Sequence, residues 1–320
     1  MIPEATILDI QRMSTEDGPG LRTTVFFKGC SLCCSWCHNP ESIDPRPVIQ
    51  WHGTKCIGCD SCRSICQTGA LIHLEEGISV DHEKCERCLT CISECPSGAL
   101  SVRGERYEGT KLLQELLKDK AYFGKDGGIT LSGGEPLLQK EFAVWLLQEL
   151  NKHGVHTALD TCGMVRPDSL LEALDFSDLL LYDIKLIDAE LHKKYTGAGN
   201  KQVLENLKKA VPIIREKGIK LWIRTPIIPD ATDSIENVAA IATFIKRHLE
   251  GLVERWELCA FNNLCLNKYQ LLGQIWPYKD APLMSGTAMA WLTGAAKKVM
   301  QDENFEVLWT GSVQGEGEAK

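Results

Sequence analysis

Three closely spaced cysteines stand in the stretch Phe27-Lys28-Gly29-Cys30-Ser31-Leu32-Cys33-Cys34-Ser35-Trp36-Cys37-His38. The CxxxCxxC spacing of Cys30, Cys34 and Cys37 supplies three thiolates, whereas a cubane iron–sulfur cluster contains four irons. One iron is therefore left without a protein ligand and can bind a small molecule. We interpret these three cysteines as the catalytic centre. Cys33, in the same loop, is not expected to bind iron.

Two further cysteine runs follow, each spaced CxxCxxCxxxC, which is the spacing of two-cluster ferredoxins. In that arrangement three cysteines of one run and the last cysteine of the other hold each cluster. The spacing predicts one 4Fe-4S cluster on Cys56, Cys59, Cys62 and Cys95, and a second on Cys85, Cys88, Cys91 and Cys66. Zinc is the alternative, because CxxC pairs also form tetrahedral thiolate sites. Zinc ribbons separate two pairs by a longer loop, so the tight runs favour iron–sulfur clusters.

Composition limits the class of protein. The chain has 320 residues, enough to bury a large core, so its 15 cysteines are not needed as a disulfide framework. The formal net charge of -8 argues against a nucleic-acid partner, which usually requires a basic face. Neither a secretion signal nor an apolar run of membrane-spanning length is recognisable. We therefore expect a cytoplasmic protein with reduced thiolates and no membrane partner.

Outside the cysteine runs, short apolar segments alternate with amphipathic ones, which predicts an α/β fold of parallel strands flanked by helices. The predicted strands span residues 23–27, 129–131, 156–160, 179–184, 220–225 and 255–260. The predicted helices span residues 110–118, 140–152, 167–174, 201–217, 235–249 and 287–300. Six repeats are fewer than the eight of a closed TIM barrel. We therefore predict a partly open, TIM-like (β/α)6 barrel.

The domain organisation follows from where the cysteines lie. Residues 51–103 contain only short apolar runs, so metal rather than a hydrophobic core has to order them. We predict a ferredoxin-like domain inserted there, between the start of the barrel in residues 1–50 and its remainder in residues 104–310. Residues 311–320 are expected to form a polar, mobile tail.

Charged and glycine motifs occur at predicted strand ends. Gly133 and Gly134 would let a ligand approach the backbone, and Glu135 could accept a hydrogen bond from an ammonium group. Alternation along the strand places Asp183 and Lys185 on one side of its end. The ordinary alternatives are a tight turn for the glycines and a structural salt bridge for the charged pair.

Two more side chains complete a possible binding pocket. Arg224 could form a forked contact with a carboxylate, although a surface ion pair would also explain it. Trp36 could stack on an adenine, or it could simply pack in the core. Together with an open iron, these groups predict a pocket for a cationic amino acid such as S-adenosylmethionine.

The motifs resemble those of the radical S-adenosylmethionine superfamily and, more narrowly, of the glycyl radical enzyme activating enzymes. The resemblance extends from the first strand to about residue 272. Its motifs are Asp17-Gly18-Pro19-Gly20-Leu21-Arg22, Phe27-Lys28-Gly29-Cys30, Trp36-Cys37-His38-Asn39-Pro40, Ser132-Gly133-Gly134-Glu135-Pro136, Leu159-Asp160-Thr161, Asp183-Ile184-Lys185 and Asn267-Lys268-Tyr269. The predicted insert is similar to that of activating enzymes for decarboxylases, dehydratases and lyases.

The resemblance implies an oxidoreductase that works anaerobically on a protein substrate. An external donor such as flavodoxin or ferredoxin would supply an electron, plausibly relayed through the insert clusters, for cleavage of S-adenosylmethionine into methionine and a 5'-deoxyadenosyl radical. That radical would remove a hydrogen atom from a backbone glycine of a partner glycyl radical enzyme. The implied cofactors are three 4Fe-4S clusters, S-adenosylmethionine and a monovalent cation.

Residue roles follow from the motifs and the resemblance together. The expected contacts with the cofactor are Trp36, Cys37, His38, Gly133, Gly134, Glu135, Asp183, Ile184, Lys185, Arg224 and Asn262. Asp160, Thr161 and Asp183 resemble the ligands of the cation, since hard oxygen ligands suit such an ion.

Two departures and two rival functions qualify the resemblance. Asn262 stands where relatives often have a histidine, and Gln67 replaces the usual proline after Cys66. The first rival is a sulfatase-type maturase, but such enzymes usually carry their auxiliary cysteines after the barrel. The second is an electron-transfer protein, which would need no pocket for S-adenosylmethionine.

Overall fold

Helices and strands alternate along most of the chain, as its sequence pattern predicts. The computed structural model describes residues 2–75, 77–301 and 305–314. The strands are β1 Glu4–Ser14, β2 Arg22–Phe27, β3 Val48–Trp51, β4 Leu71–Leu74, β5 Gly77–Val80, β6 Leu100–Arg103, β7 Glu105–Glu108, β8 Gly128–Gly133, β9 His156–Thr161, β10 Leu179–Asp183, β11 Lys220–Ile227, β12 Val253–Ala260 and β13 Glu306–Thr310. The α-helices are α1 Ser61–Ile65, α2 Thr90–Ser93, α3 Gly109–Leu117, α4 Lys140–Lys152, α5 Pro167–Leu174, α6 Ala189–Thr196, α7 Lys201–Lys217, α8 Ile235–His248, α9 Leu266–Leu271 and α10 Gly286–Val299.

Side-chain caps mark where several helices begin. Ser234 caps α8 by accepting a hydrogen bond from the backbone N–H of Asn237 at 3.1 Å. Ser285 caps α10 in the same way, through the N–H of Ala288 at 3.1 Å. Each cap satisfies a backbone donor that has no partner within the helix. The six helices predicted from the sequence are α3, α4, α5, α7, α8 and α10, so all of them are present.

One mixed sheet organises the fold, with the strand order β13-β12-β11-β10-β9-β8-β2-β1-β7. The six predicted strands are β2 and β8 to β12, and each pairs in parallel with its neighbour in this series. The expected α/β fold with a central parallel sheet is therefore confirmed. Because parallel strands end at the same edge of a sheet, the loops after these strands meet there.

Three strands of this sheet were not predicted. β13 extends the parallel series beyond β12, whereas β1 and β7 add antiparallel strands at the other edge. Two register shifts, between Ile7 and Asp9 and between Gln11 and Ser14, interrupt the pairing of β1 with β2. Such irregularities break the alternation by which a strand is recognised.

Residues 48–103 form a small separate unit, here called the insert. Its buried apolar residues are Ile49, Leu71, Ile78, Val80, Cys91 and Leu100. Two antiparallel strand pairs, β3 with β6 and β4 with β5, frame this cluster. The β3–β6 ladder pairs Val48 with Arg103, so the strands of this segment start three residues before the boundary predicted at residue 51.

The start of the predicted tail is attached to the fold. The backbone N–H of Gln314 donates to the carbonyl of Met284 at 3.0 Å, and Gln314 forms a bridge with Ser285. Residues 311–314 therefore differ from the mobile tail that we predicted. Residues 315–320 lie outside the described residues. In the part of the chain that the structure describes, no helix combines the length and apolar character needed to cross a bilayer.

Arg22 fastens β2 to β8 from a fully buried position, with 0% of its surface exposed. Its guanidinium donates to the Thr130 hydroxyl at 2.7 Å and to the Ile129 carbonyl at 2.9 Å. Burial lowers the pKa of Arg22 to about 10, which leaves it charged at neutral pH. This forked contact fixes the loop before β2, which borders the functional site.

We expect Arg22→Lys to destabilise the fold by about 2 kcal/mol, because an ammonium group cannot form both contacts and leaves a buried acceptor unpaired. The measurement is anaerobic denaturant unfolding followed by circular dichroism. Arg12→Lys is the matched control, since Arg12 pairs with Glu115 at 2.9 Å on the surface and is 42% exposed. Equal unfolding midpoints for the two variants would contradict the assigned role of Arg22.

Candidate functional site

A cavity of about 440 Å³ opens where the parallel strands end. The predicted site residues that line it are Cys30, Cys34, Trp36, Cys37, His38, Gly133, Gly134, Asp160, Thr161, Asp183, Lys185, Arg224 and Asn262. They come from the loop after β2 and from the ends of β8 to β12. Because the strands are parallel, side chains that are far apart in sequence converge at this edge.

Backbone hydrogen bonds hold the cysteine loop in place from two sides. The N–H of Cys30 donates to Ile43 O at 3.1 Å, while the N–H of Cys33 donates to Thr196 O at 2.8 Å. Cys33 is exposed, whereas Cys30, Cys34 and Cys37 line the cavity. The structure therefore brings together the three cysteines of the predicted triad and leaves the fourth outside.

A distant helix clamps the far end of the same loop. From α9, the Tyr269 hydroxyl donates to the carbonyl of Cys37 at 2.9 Å, and Lys268 donates to the Asn39 side chain at 2.6 Å. Lys268 also pairs with Glu41 at 3.2 Å. The motif Asn267-Lys268-Tyr269 thus orders the loop that follows Cys37.

Burial makes the thiols unfavourable as free thiolates. It raises the pKa of Cys34 and of Cys37 to about 12, so both remain protonated at neutral pH unless a positive centre is nearby. Metal binding supplies such a centre and deprotonates thiols. The donor set of three inward cysteines therefore fits a three-thiolate iron–sulfur cluster.

The glycines after β8 allow the close packing of this loop. Gly133 has a φ of +113°, and a Cβ on Gly134 would stand 2.2 Å from the carbonyl oxygen of Gly29. A side chain at Gly134 would displace the cysteine loop, and one at Gly133 would collide with the backbone of Phe27 in β2. His38, which also lines the cavity, has a buried Nε2 without a hydrogen-bond partner among the described residues. This unpaired nitrogen lies in a cavity wall where a ligand could satisfy it.

Charged side chains occupy the wall opposite the cysteines. Lys185 forms an ion pair with Asp183, and this pair lines the cavity. Burial favours the neutral amine of Lys185, but the neighbouring Asp183 carboxylate outweighs it and holds the pKa above its usual range. The structural salt bridge that we considered as an alternative is thus present, and the same groups still face the cavity.

Asp160 and Arg224 form a second charged pair. Arg224 lies 3.6 Å from Asp160 and 3.5 Å from Glu257, and 20% of its side chain is exposed. The Ser132 hydroxyl donates to Asp160 at 2.6 Å. Burial and the nearby Asp183 raise the pKa of Asp160 to about 6, against the effect of Arg224. An additional cation beside Asp160 would therefore be stabilising.

Two of the predicted cofactor-contact residues, Glu135 and Ile184, are not among the residues that line the cavity. Glu135 is completely buried, and its carboxyl group accepts hydrogen bonds from the Thr161 hydroxyl at 2.7 Å, the Cys162 N–H at 3.0 Å and the Leu137 N–H at 3.1 Å. Burial raises the pKa of Glu135 well above its usual range. Ile184 is 1% exposed and packs in the core. Neither side chain lines the cavity, because each turns into the protein from the end of its strand.

Sequence reasoning missed a carboxylate at the cavity mouth. Asp17 lines the cavity, and the hydroxyls of Ser14 and Thr24 each donate to its carboxylate at 2.7 Å. The Thr130 hydroxyl donates to the Asp17 carbonyl at 2.7 Å. The motif from Asp17 to Arg22 contains this residue, but in the sequence it indicated only the family and not a role for the Asp17 carboxylate.

The eight cysteines of the insert line two separate cavities. The first cavity, of about 310 Å³, includes Cys56, Cys59, Cys62 and Cys95 in its wall. The second, of about 160 Å³, includes Cys66, Cys85, Cys88 and Cys91. These are the two crossed sets expected from the ferredoxin spacing, so the fold brings each set together.

Comparison with known proteins identifies the family. The family model of the radical SAM superfamily matches residues 24–242. The (2S)-3-sulfopropanediol dehydratase activating enzyme of Klebsiella oxytoca is 38% identical over 283 residues, which cover 87% of each chain. The trans-4-hydroxy-L-proline dehydratase activating enzyme of Clostridioides difficile is 36% identical over 269 residues, covering 82% of this chain and 86% of that relative. The crystal structure of a radical SAM methyltransferase from Sphaerobacter thermophilus covers 90% of this chain and 66% of that chain, with a TM-score of 0.51 at 12% identity.

These matches define the class of the protein, which belongs to the radical SAM superfamily. The likeness to the methyltransferase concerns the fold alone. Within the superfamily, the similarity to activating enzymes over most of the chain places this protein among the glycyl radical enzyme activating enzymes. The resemblance read from the sequence motifs is therefore confirmed.

We expect Glu135→Ala to destabilise the protein by about 3 kcal/mol, because three buried donors lose their acceptor. Once folded, the variant should bind S-adenosylmethionine as the unchanged protein does, since Glu135 does not line the cavity. Denaturant unfolding and titration calorimetry measure the two effects, with Glu135→Gln as the conservative control. A stable Glu135→Ala protein with weakened S-adenosylmethionine binding would instead support Glu135 as a direct contact with the cofactor.

Proposed function

We propose that this chain activates a partner glycyl radical enzyme through radical chemistry on S-adenosylmethionine, in the cytoplasm. The observation that carries the proposal is one cavity lined both by three half-buried cysteines, Cys30, Cys34 and Cys37, and by the Asp183–Lys185 ion pair. A cavity that combines an iron without a protein ligand and charged side chains suits a ligand that carries a sulfonium and an amino-acid group. Membership of the activating-enzyme family supports the same conclusion.

The cysteine triad would hold a 4Fe-4S cluster that supplies an electron to the bound sulfonium. Gly133 and Gly134 bring backbone groups close to the methionine part of the ligand. Lys185 offers a positive charge to its carboxylate, and Trp36 offers an aromatic surface to its adenine. The oxygens of Asp160, Thr161 and Asp183 would hold a monovalent cation, which the two carboxylates favour.

The mouth of the cavity suits a backbone glycine of the partner. Asp17 presents a carboxylate that is held by two hydroxyl groups, and a carboxylate accepts hydrogen bonds from peptide N–H groups. Such a contact can hold an extended peptide without requiring a particular side chain.

The architecture supports the finer parts of the proposal. We interpret the parallel strands as a partly open (β/α)6 barrel and residues 48–103 as a ferredoxin-like insert with two auxiliary 4Fe-4S clusters. The external electron donor would be a flavodoxin or a ferredoxin. Because the relatives found are activating enzymes, the maturase and electron-transfer alternatives have no support from them.

Anaerobic incubation of the reduced protein with S-adenosylmethionine and candidate partner enzymes tests the proposal. Dehydratases and lyases of the kinds that the relatives activate are the first candidates. Electron paramagnetic resonance should detect a glycine-centred doublet, and chromatography should detect 5'-deoxyadenosine and methionine. Cys34→Ser should abolish both signals. Intact S-adenosylmethionine after addition of a strong reductant would disprove the proposal.

Iron analysis tests the number of clusters. The reconstituted protein should contain about twelve irons per chain, and a variant with Cys30, Cys34 and Cys37 replaced by alanine should contain about eight. Substituting Cys56, Cys59 and Cys62 by alanine should also leave about eight irons per chain, because one cluster of the insert is then lost. A full iron content in the first variant would exclude the triad as a cluster site.

Asn262 should contribute a neutral hydrogen bond to S-adenosylmethionine, because its amide has both a donor and an acceptor but does not become protonated. We expect Asn262→Ala to weaken binding by about 1 kcal/mol, roughly fivefold. Asn263→Ala is the matched control, since Asn263 is exposed and only Asn262 lines the cavity. Unchanged affinity in Asn262→Ala would remove the support for this contact.

A further inference from the structure

The two cysteine sets of the insert differ in how they are attached to the rest of the chain. Here the outer set is Cys56, Cys59, Cys62 and Cys95, and the inner set is Cys66, Cys85, Cys88 and Cys91. Each cysteine run contains one arginine, Arg63 in the first and Arg87 in the second. These two side chains have different partners, and the difference separates the two sets.

Arg87 connects the inner set to the catalytic loop. Its guanidinium donates to the Cys85 carbonyl at 3.1 Å, to the Pro47 carbonyl at 3.0 Å and to the Asp44 carboxylate at 2.9 Å. Asp44 directly follows Ile43, whose carbonyl accepts the N–H of Cys30 at 3.1 Å. A short series of hydrogen bonds therefore links Cys85 of the insert with Cys30 of the catalytic triad.

Burial and charge reinforce this link. Only 11% of the Arg87 side chain is exposed, so solvent screens its charge weakly. The hydrogen bonds from Arg46, together with the charge of Arg87, lower the pKa of Asp44 to about 2, so Asp44 is ionised at neutral pH. Charge-assisted hydrogen bonds of this kind fix the orientation of both partners.

Arg63 has no comparable connection in the described structure. It pairs with Asp60, within the insert, at 3.0 Å, and the two side chains are 42% and 48% exposed. Both cavities are lined by residues of the insert, so the two sets differ in the partners of their arginines rather than in their lining. Exposed ion pairs of this type contribute little to stability.

The charges that face the two cavities also differ. Asp60 and Glu75 lie in the wall of the outer cavity, whereas Arg63, the partner of Asp60, does not line it. Glu86 and Arg87 lie in the wall of the inner cavity, where their charges cancel. Reduction adds negative charge to an iron–sulfur cluster, so a nearby cation raises its reduction potential and nearby carboxylates lower it.

We propose that Arg87 is a positioning residue that holds the inner cysteine set against the loop of Cys30 and gives a cluster on that set the higher reduction potential of the two. This inference rests on the proposed function, because it assumes that both sets hold clusters. An electron delivered to the insert by the external one-electron donor would then reside mainly at the inner set, beside the catalytic loop. The charge of Arg87 raises the potential of this cluster, and its hydrogen bonds to Asp44 and Pro47 hold the inner set beside the catalytic loop.

A redox titration of the reconstituted holoenzyme, followed by electron paramagnetic resonance, tests the inference. Arg87→Gln should shift one auxiliary midpoint to a lower potential, whereas Arg63→Gln should leave both auxiliary midpoints unchanged. Arg87→Lys should shift this midpoint less than Arg87→Gln does, because lysine keeps the positive charge but lacks the forked geometry of the guanidinium. A shift of equal size in Arg63→Gln, or no shift in Arg87→Gln, would overturn the inference.

A second variant separates the effect of charge from that of attachment. Asp44→Asn removes a negative charge but leaves Arg87 charged, so the midpoint of the inner cluster should rise. The same change weakens the attachment, so amide hydrogen exchange in residues 81–90 should become faster. A lower midpoint in Asp44→Asn would contradict the assigned electrostatics, and unchanged exchange would contradict the positioning role.

Two controls keep these outcomes interpretable. Iron and sulfide content establishes whether each variant holds all of its clusters. If Arg87→Gln loses one cluster and the other variants do not, that loss would itself support the positioning role. The reduction potential would then be measured in Arg87→Lys. Cleavage of S-adenosylmethionine with a chemical reductant should be unchanged in Arg63→Gln, because Arg63 does not line the catalytic cavity and pairs with Asp60 of the insert. Failure of the unchanged protein to cleave it would refute the proposed function, while the measured potentials would still decide the role of Arg87.

Discussion

Placement of three thiols in one cavity at the carboxyl edge of a parallel sheet is the constraint on which the rest of this structure depends. In an apolar environment Cys34 and Cys37 strongly favour the protonated form, so a positive centre has to compensate them before they can act as ligands. A flexible loop could not hold three such groups in one orientation. The surrounding elements therefore serve largely to fix this loop.

The loop is fixed by contacts from segments that are distant in sequence. Thr196 ends α6, Tyr269 belongs to α9, and Gly134 follows β8, yet all three meet the loop between Gly29 and Cys37. Each contact satisfies a backbone group or fills space beside it, which leaves the thiols free to face the cavity. The result is a rigid wall of sulfur donors opposite a wall of charged side chains.

The insert extends the same principle to a second region. Its hydrophobic cluster is small, so the hydrogen bonds of Arg87 contribute to its order. The contact between Arg87 and Asp44 joins the insert to the segment that follows the catalytic loop.

Local patterns were sufficient to identify the six parallel strands and the family, and the cysteine spacing predicted three sets that each line one cavity, because spacing and hydrophobic periodicity are properties of short segments. The orientation of individual side chains required the tertiary structure. Glu135 follows two glycines at a strand end, as a ligand contact would, but it turns inward because Thr161 and Cys162 from β9 and the loop that follows supply its hydrogen bonds. The roles of Asp17 and Arg87 likewise depend on partners many residues away. Such partners are chosen by packing, which no local pattern encodes.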